Sequence, residues 1–129
     1  VCVFAAAVAD YTPKTVSNQK IKKSDAEFSV VLKKNVDIAY EFGKIKKPNQ
    51  LSVGFALETN DELKHAKAKL LKKNFDLVVL NSLNDKGAGF QFNTNKITIV
   101  NRNNKITKFE LKKKEEVAED SIKELEKLL

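Results

Sequence analysis

The stretch LSVGFALETNDELKHAKAKLLKKNFDLVVL, residues 51–80, decides the fold class. Residues 51–57 and 76–80 are short apolar runs, the pattern of strands covered on both faces in a parallel sheet, where no alternate position has to meet water. Between them, Glu58, Thr59, Asn60, Asp61 and Glu62 supply cap-type and acidic side chains, and Leu63, Ala66 and Leu70 recur at helical spacing. Strand, helix and strand at these intervals predict a right-handed parallel crossover. Toward the N-terminus, residues 1–9 are apolar and small, as in another covered strand. Asp10 to Pro13 reads as a loop, residues 14–26 as a polar, aperiodic, mobile loop, and residues 27–32 as a short strand. Asn35, Val36 and Asp37 open a helix in which Ile38, Phe42 and Ile45 recur, ending before Pro48. Toward the C-terminus, residues 96–100 and 105–111 flank Asn101-Arg-Asn-Asn as an antiparallel edge hairpin. Residues 112–129 form a last helix with Ala118, Ile122, Leu125 and Leu129 as its apolar stripe and Glu119 and Lys123 as an exposed pair. The expected fold is α/β: a mainly parallel sheet with helices on both faces, plus a C-terminal antiparallel hairpin and helix.

Composition narrows the function. With 129 residues and 42% hydrophobic content the chain suits one domain. No apolar run approaches the roughly 20 residues of a membrane-spanning helix. The chain opens on an apolar run without Met or a basic leader, so an internal start is expected rather than a signal peptide. A single cysteine, Cys2, and a single histidine, His65, exclude an internal disulfide, a Cys/His zinc site and a serine or cysteine nucleophile with a convincing histidine partner. Cys2 reads as a buried structural thiol and His65 as a solvated helix residue. A reducing cytoplasm fits. The net charge of +7 invites a nucleic-acid-binding reading, yet of 24 basic residues only Arg102 is arginine, the side chain best suited to base readout. Lysine alone fits solubility or point-charge contacts to phosphate. Neither G-x-G-x-x-G nor a Walker loop is present.

In open α/β sheets ligands bind beyond the carboxyl ends of parallel strands. That rule selects residues 5–11, 55–60 and 80–84. Ala5, Ala6 and Ala7 suit either close ligand approach or tight sheet packing. Asp10 suits a metal, a sugar hydroxyl or an ordinary turn. Lys20, Lys22 and Lys23 suit either phosphate contact on a closing flap or plain solvation. Lys69 and Lys73 share one helix face and repel, which an anion would relieve; but the helix dipole already favours cations there, and a simple crossover places that helix end away from the crevice.

AAAVADY at residues 5–11, KIKK at 20–23, KNVDI at 34–38, GFALETN at 54–60 and KKNFDLVVLN at 72–81 stand in one order. Together they resemble phosphopantothenoylcysteine synthetase, usually the C-terminal half of a bacterial bifunctional flavoprotein, over almost the whole chain. The resemblance implies a Rossmann-like fold and a two-step ligation. The carboxylate of 4′-phosphopantothenate attacks the α-phosphate of CTP, releasing pyrophosphate, and cysteine's amine then displaces CMP from the acyl-cytidylate. It assigns Phe4, Ala5, Ala6 and Asp10, then Val36, Asp37, Ile38 and Ala39, then Phe55, Lys69 and Lys73 to CTP. Lys20 becomes the flap lysine of the first step and Ala7 a small position needed in the second. Magnesium with the triphosphate, a homodimer or higher homo-oligomer in the intact enzyme and FMN only in a separate decarboxylase domain are further implications. No nucleic-acid or membrane partner is expected. Many relatives have proline at Val36, which suits a contact through backbone groups. The chain is expected to be the C-terminal portion, residues 1–129, of one ligase domain whose glycine-rich turn and Ser-Ser-Gly-Lys loop lie upstream, and to be inactive alone.

Overall fold

The computed structural model describes residues 1–22, 27–85, 87–88 and 91–129. In chain order the elements are β1 (Cys2–Phe4), β2 (Tyr11–Pro13), β3 (Leu32–Lys34), α1 (Ile38–Ile45), β4 (Ser52–Glu58), α2 (Glu62–Lys72) and β5 (Leu77–Ser82). They are followed by β6 (Thr94–Asn95), β7 (Ile97–Asn101), β8 (Ile106–Lys108), β9 (Lys112–Lys113) and α3 (Lys114–Glu126). The central sheet runs β1-β4-β5-β7-β8. β1, β4 and β5 are parallel, and β7 and β8 add an antiparallel hairpin beside β5. The crossovers through α1 and α2 and the terminal hairpin and helix match the α/β fold expected.

The alternation of side chains along β5 splits the interior into two cores. Val78 and Leu80 pack with Ala56, Ala66, Leu70 and Phe75 beneath α1 and α2. Leu77 and Val79 pack with Val53, Ile97, Ile99 and Val117 beneath α3. Helices therefore cover both faces. Each of the larger buried side chains contributes about 1.5–3 kcal/mol relative to exposure. Gly54 is required by a close approach, since a Cβ there would lie 2.2 Å from the Phe75 ring. That ring in turn meets Phe4, whose centroid is 5.7 Å away.

At the N-terminal ends of β4 and β5 sits a buried polar cluster. Asp76 accepts from Lys46 Nζ at 2.6 Å and from Ser52 N at 2.7 Å, and faces Arg102 Nε at 3.0 Å. Lys46 also donates to Asn74 O at 2.6 Å, and Arg102 to Phe75 O at 2.9 Å. Every charge in this cluster has an opposite charge and hydrogen bonds, the condition under which buried ions are tolerated.

Several local expectations change. The first strand ends at Phe4 rather than continuing to Ala9, and it is an edge, leaving Val3 exposed. Freed from the sheet, Ala5 to Ala9 can line a cavity. Tyr11–Pro13, read as loop, is a strand paired with Leu32–Lys34. Residues 27–31, read as strand, carry no regular structure, and Phe28, Val30 and Val31 are exposed. β2 and β3 thus close the base of an arm, with Lys14 N donating to Val31 O at 2.8 Å; Lys23 lies outside the described residues. In α1, Asp37 caps the helix by accepting from Tyr40 N at 3.1 Å, but Ile38 and Ile45 are exposed and Phe42 is the stripe residue that packs, against Phe4. In α3 the inner face is rotated by about one residue. Val117 and Glu124 are buried and Leu125 and Leu128 join the core, while Ala118, Ile122 and Leu129 face outward. Cys2 is half-buried. His65 is more than solvated, since its Nδ1 lies 3.2 Å from Glu58 Oε2.

Candidate functional site

Beyond the carboxyl ends of β1 and β4 the structure opens a cleft of about 610 Å³. Three segments build it. The chain leaving β1 contributes Phe4, Ala5, Ala6 and Asp10; the start of α1 contributes Val36, Asp37, Ile38 and Ala39; and Phe55 joins Lys69 and Lys73 from the last turn and C-cap of α2. Small alanines let this segment run close to the strand ends. Asn35 holds it in place, its Nδ2 donating to Ala9 O at 2.7 Å and its N–H to Asp10 O at 2.8 Å. The end of α2 reaches the cleft because it packs on α1. A Cβ on Gly43 would lie 2.2 Å from Lys73 O, so only glycine permits the C-cap of α2 to approach α1 so closely. The crossover therefore does not carry Lys69 and Lys73 away from the crevice.

The electrostatics are lopsided. Lys34 and Lys72 also line the cleft, giving four lysines with Lys69 and Lys73 against the aspartates Asp10 and Asp37. Lys73 Nζ lies 3.1 Å from Asp37 Oδ2, and Lys69 Nζ 2.7 Å from Glu58 Oε1. Burial alone would raise the Asp37 carboxyl, but the Tyr40 N–H and the Lys73 ammonium outweigh it and hold it below the usual range. Glu58 follows the same pattern: burial would raise it, and Lys69 and then His65 bring it down. Phe4, Phe55, Val36 and Ile38 add apolar lining, with Val36 and Ile38 well exposed. A cleft of this composition suits a ligand that carries both a flat or apolar part and several negative charges.

Lys20 and Ala7 fall outside that lining. Lys20 stands exposed on the arm between β2 and β3. Ala7 lines a second cavity of about 290 Å³, which shares Phe4, Ala5, Ala6 and Phe55 with the main cleft and adds Asn81, Asn95 and Lys114. Sequence reasoning selected the Asn81 region by the strand-end rule but did not find Asn95 or Lys114. They arrive through the two-residue pairing of β6 with β9, too short to show any periodicity. Lys34, Asn35 and Lys72 went unassigned by residue pattern because each sits among other polar residues.

The fold and cleft define an open α/β domain with an anion-accepting site at its strand ends. The chain belongs to the DNA/pantothenate metabolism flavoprotein C-terminal domain family, whose profile matches residues 1–129. Among curated relatives, a prokaryotic protein named cysteine/cysteine sulfinic acid decarboxylase is 55% identical over 97% of this chain and 35% of its own length. The coenzyme A biosynthesis bifunctional protein CoaBC of Bacillus subtilis strain 168 is 48% identical over 77% of this chain and 24% of its own length. The chain thus spans about a third or less of these relatives. The crystal structure of a CoaBC C-terminal domain superposes with a TM-score of 0.74 and 31% identity, covering 98% of this chain and 54% of that one. A Streptococcus pneumoniae DNA/pantothenate metabolism flavoprotein matches in fold, with a TM-score of 0.67 at 23% identity.

Proposed function

We propose that this domain, within its full-length polypeptide, serves coenzyme A biosynthesis by joining 4′-phosphopantothenate to cysteine through an acyl-cytidylate made from CTP. The supporting observation is convergence: the positions assigned to CTP by resemblance, Lys20 apart, come from separate segments and meet in one cleft. The apolar lining suits the cytosine, and the backbone groups of Val36 to Ala39 suit hydrogen bonds to its edge. Asp10 suits the ribose hydroxyls, and Lys69, Lys72 and Lys73 suit the phosphates. On binding, a triphosphate would take Lys69 and Lys73 from Glu58 and Asp37. Among the described residues no group of three or more His, Cys, Asp or Glu side chains converges, so magnesium fits this site as an ion carried by triphosphate oxygens. It would supply charge neutralisation at the phosphates, with Asp10 and Asp37 as the carboxylates of the cleft lining.

In the first step the 4′-phosphopantothenate carboxylate forms a bond to the α-phosphorus and pyrophosphate leaves. Lys20 acts by bringing its ammonium over that phosphate as the arm closes, stabilising charge that grows in the transition state. FMN has no role in these steps and is assigned to a separate decarboxylase domain. No helix among the described residues is long and apolar enough to cross a membrane; the cytoplasm is the proposed location and a homo-oligomer the proposed assembly.

The test is a half-reaction. Full-length protein with CTP and magnesium should release pyrophosphate only when 4′-phosphopantothenate is added, and should yield CMP and an amide only when cysteine follows. Release of carbon dioxide from cysteine or cysteine sulfinic acid without any CTP-dependent step would favour the activity named for the first relative and overturn this reading.

A further inference from the structure

The second cavity has a composition unlike the cleft it adjoins. One cation, Lys114, and two carboxamides, Asn81 and Asn95, line it together with Leu57 and Ala7, while Ala5, Ala6 and Phe55 are shared with the main cleft. Two of these groups have hydrogen-bonding capacity that the fold does not explain. Asn81 Oδ1 is enclosed and has no partner among the described residues. An enclosed polar atom left unpaired costs free energy that a bound group can recover. Asn95 is 8% exposed and its Oδ1 accepts from Lys96 N at 3.0 Å, which leaves its Nδ2 as the donor for the cavity. Lys114 is the first residue of α3, a helix of 13 residues, so its ammonium and the positive end of the helix coincide.

Resting on the ligase reading above, we infer that this cavity is the subsite for the amino-acid acceptor, and that Lys114 recognises its carboxylate while Asn81 and Asn95 hold its amine and carboxylate by hydrogen bonds. The volume, about 290 Å³, admits a small amino acid. One ammonium with neutral amides matches the single negative charge of a carboxylate, whereas a phosphate dianion would call for the several lysines found in the neighbouring cleft. Position agrees with the chemistry. The cavity shares Ala5, Ala6 and Phe55 with the main cleft, so an amine held here faces the junction where the acyl group of a bound acyl-cytidylate would lie. The free amine forms the C–N bond to the acyl carbon, the bond from that carbon to the phosphate oxygen breaks, and CMP leaves with the electron pair. One N–H proton passes to the departing phosphate.

The experiment uses the full-length protein, preformed acyl-cytidylate and two acceptors, cysteine and cysteamine, which differ by the carboxylate. Lys114 is exposed, so Lys114→Gln is expected to fold. Its kcat/KM for cysteine should fall about tenfold to a hundredfold while that for cysteamine changes little, because one charge-assisted hydrogen bond to a carboxylate is lost. Lys114→Arg should recover part of the discrimination. Asn81→Ala should slow both acceptors, since both carry the amine. Unchanged discrimination in Lys114→Gln overturns the subsite. So does a rise confined to the KM for 4′-phosphopantothenate, or an equal loss of pyrophosphate release, either of which would give the cavity to the acid or the nucleotide. Failure of the wild type to release pyrophosphate at all overturns the ligase reading, and the subsite with it.

Discussion

The two ends of the central strands handle charge in opposite ways. Where β4 and β5 begin, Asp76, Lys46 and Arg102 are locked together. The Lys46 and Asp76 side chains are 5% and 11% exposed, and Asn74 and Ser52 supply further hydrogen bonds. Beyond the carboxyl ends of β1 and β4, Lys34, Lys69, Lys72 and Lys73 line an open cleft in excess of its carboxylates, and near the end of β5 Asn81 Oδ1 has no partner among the described residues. Both ends are polar and both are built by residues distant in sequence. The first is closed and satisfied, so it serves the fold; the second is open, and we propose that it serves a ligand.

The contrast breaks most visibly at Asp76. Asp76→Ala leaves Lys46 buried without its counter-charge, and this domain in the full-length protein should lose about 3–5 kcal/mol, read as a lower denaturant midpoint. A loss below about 1 kcal/mol would mean that water already screens the cluster. At the ligand end the effects should fall on rate instead. Lys20→Gln should slow pyrophosphate release by about a hundredfold to a thousandfold, with the melting temperature nearly unchanged because the side chain is exposed. Chemically prepared acyl-cytidylate should bypass much of that defect. Ala7→Val should act later and less, slowing amide formation more than activation as added methyls displace the reacting groups, so that acyl-cytidylate accumulates. Equal loss in both steps would detach Ala7 from the second.

Legibility in the sequence followed the same division. β4, α2 and β5 were readable because buried elements obey periodicity: Ala66 and Leu70 fall on one face, and Leu77 to Leu80 form one apolar run. The strand-end rule then located Ala5, Ala6, Asp10 and Phe55 in the cleft, and the resemblance added Phe4. Reading failed where apolar residues are exposed. Val30 and Val31 look like a strand interior yet carry no regular structure, and Ile122 looks like a core residue yet faces outward while Glu124 is buried. Hydrophobicity cannot fix the phase of α3 when apolar residues lie on both sides of its true seam. Asn95 and Lys114 had no local signal, since only the short β6–β9 pairing brings them to the strand ends.

The smallest effect expected is on acid stability. Against the effect of burial, the Asp37 carboxyl is held below its ordinary value of 3.8 by the Tyr40 N–H and then Lys73, and the Glu58 carboxyl below 4.5 by Lys69 and then His65. Lowered values in the folded state mean that stability is fully present above those ordinary values and is lost as pH falls through the folded ones. The melting temperature should therefore hold steady above about pH 5 and decline below it, and Glu58→Gln should flatten part of that decline. A decline beginning near neutrality would show that other groups dominate.

The central claim is that the open end takes CTP, and equilibrium binding to the full-length protein tests it most directly. At moderate salt, CTP with magnesium should bind more tightly than single-stranded or duplex oligonucleotides, and Lys73→Gln should weaken CTP by about tenfold or more through loss of one charge-assisted phosphate contact. Absence of CTP binding, together with oligonucleotide binding that survives added salt, would contradict it.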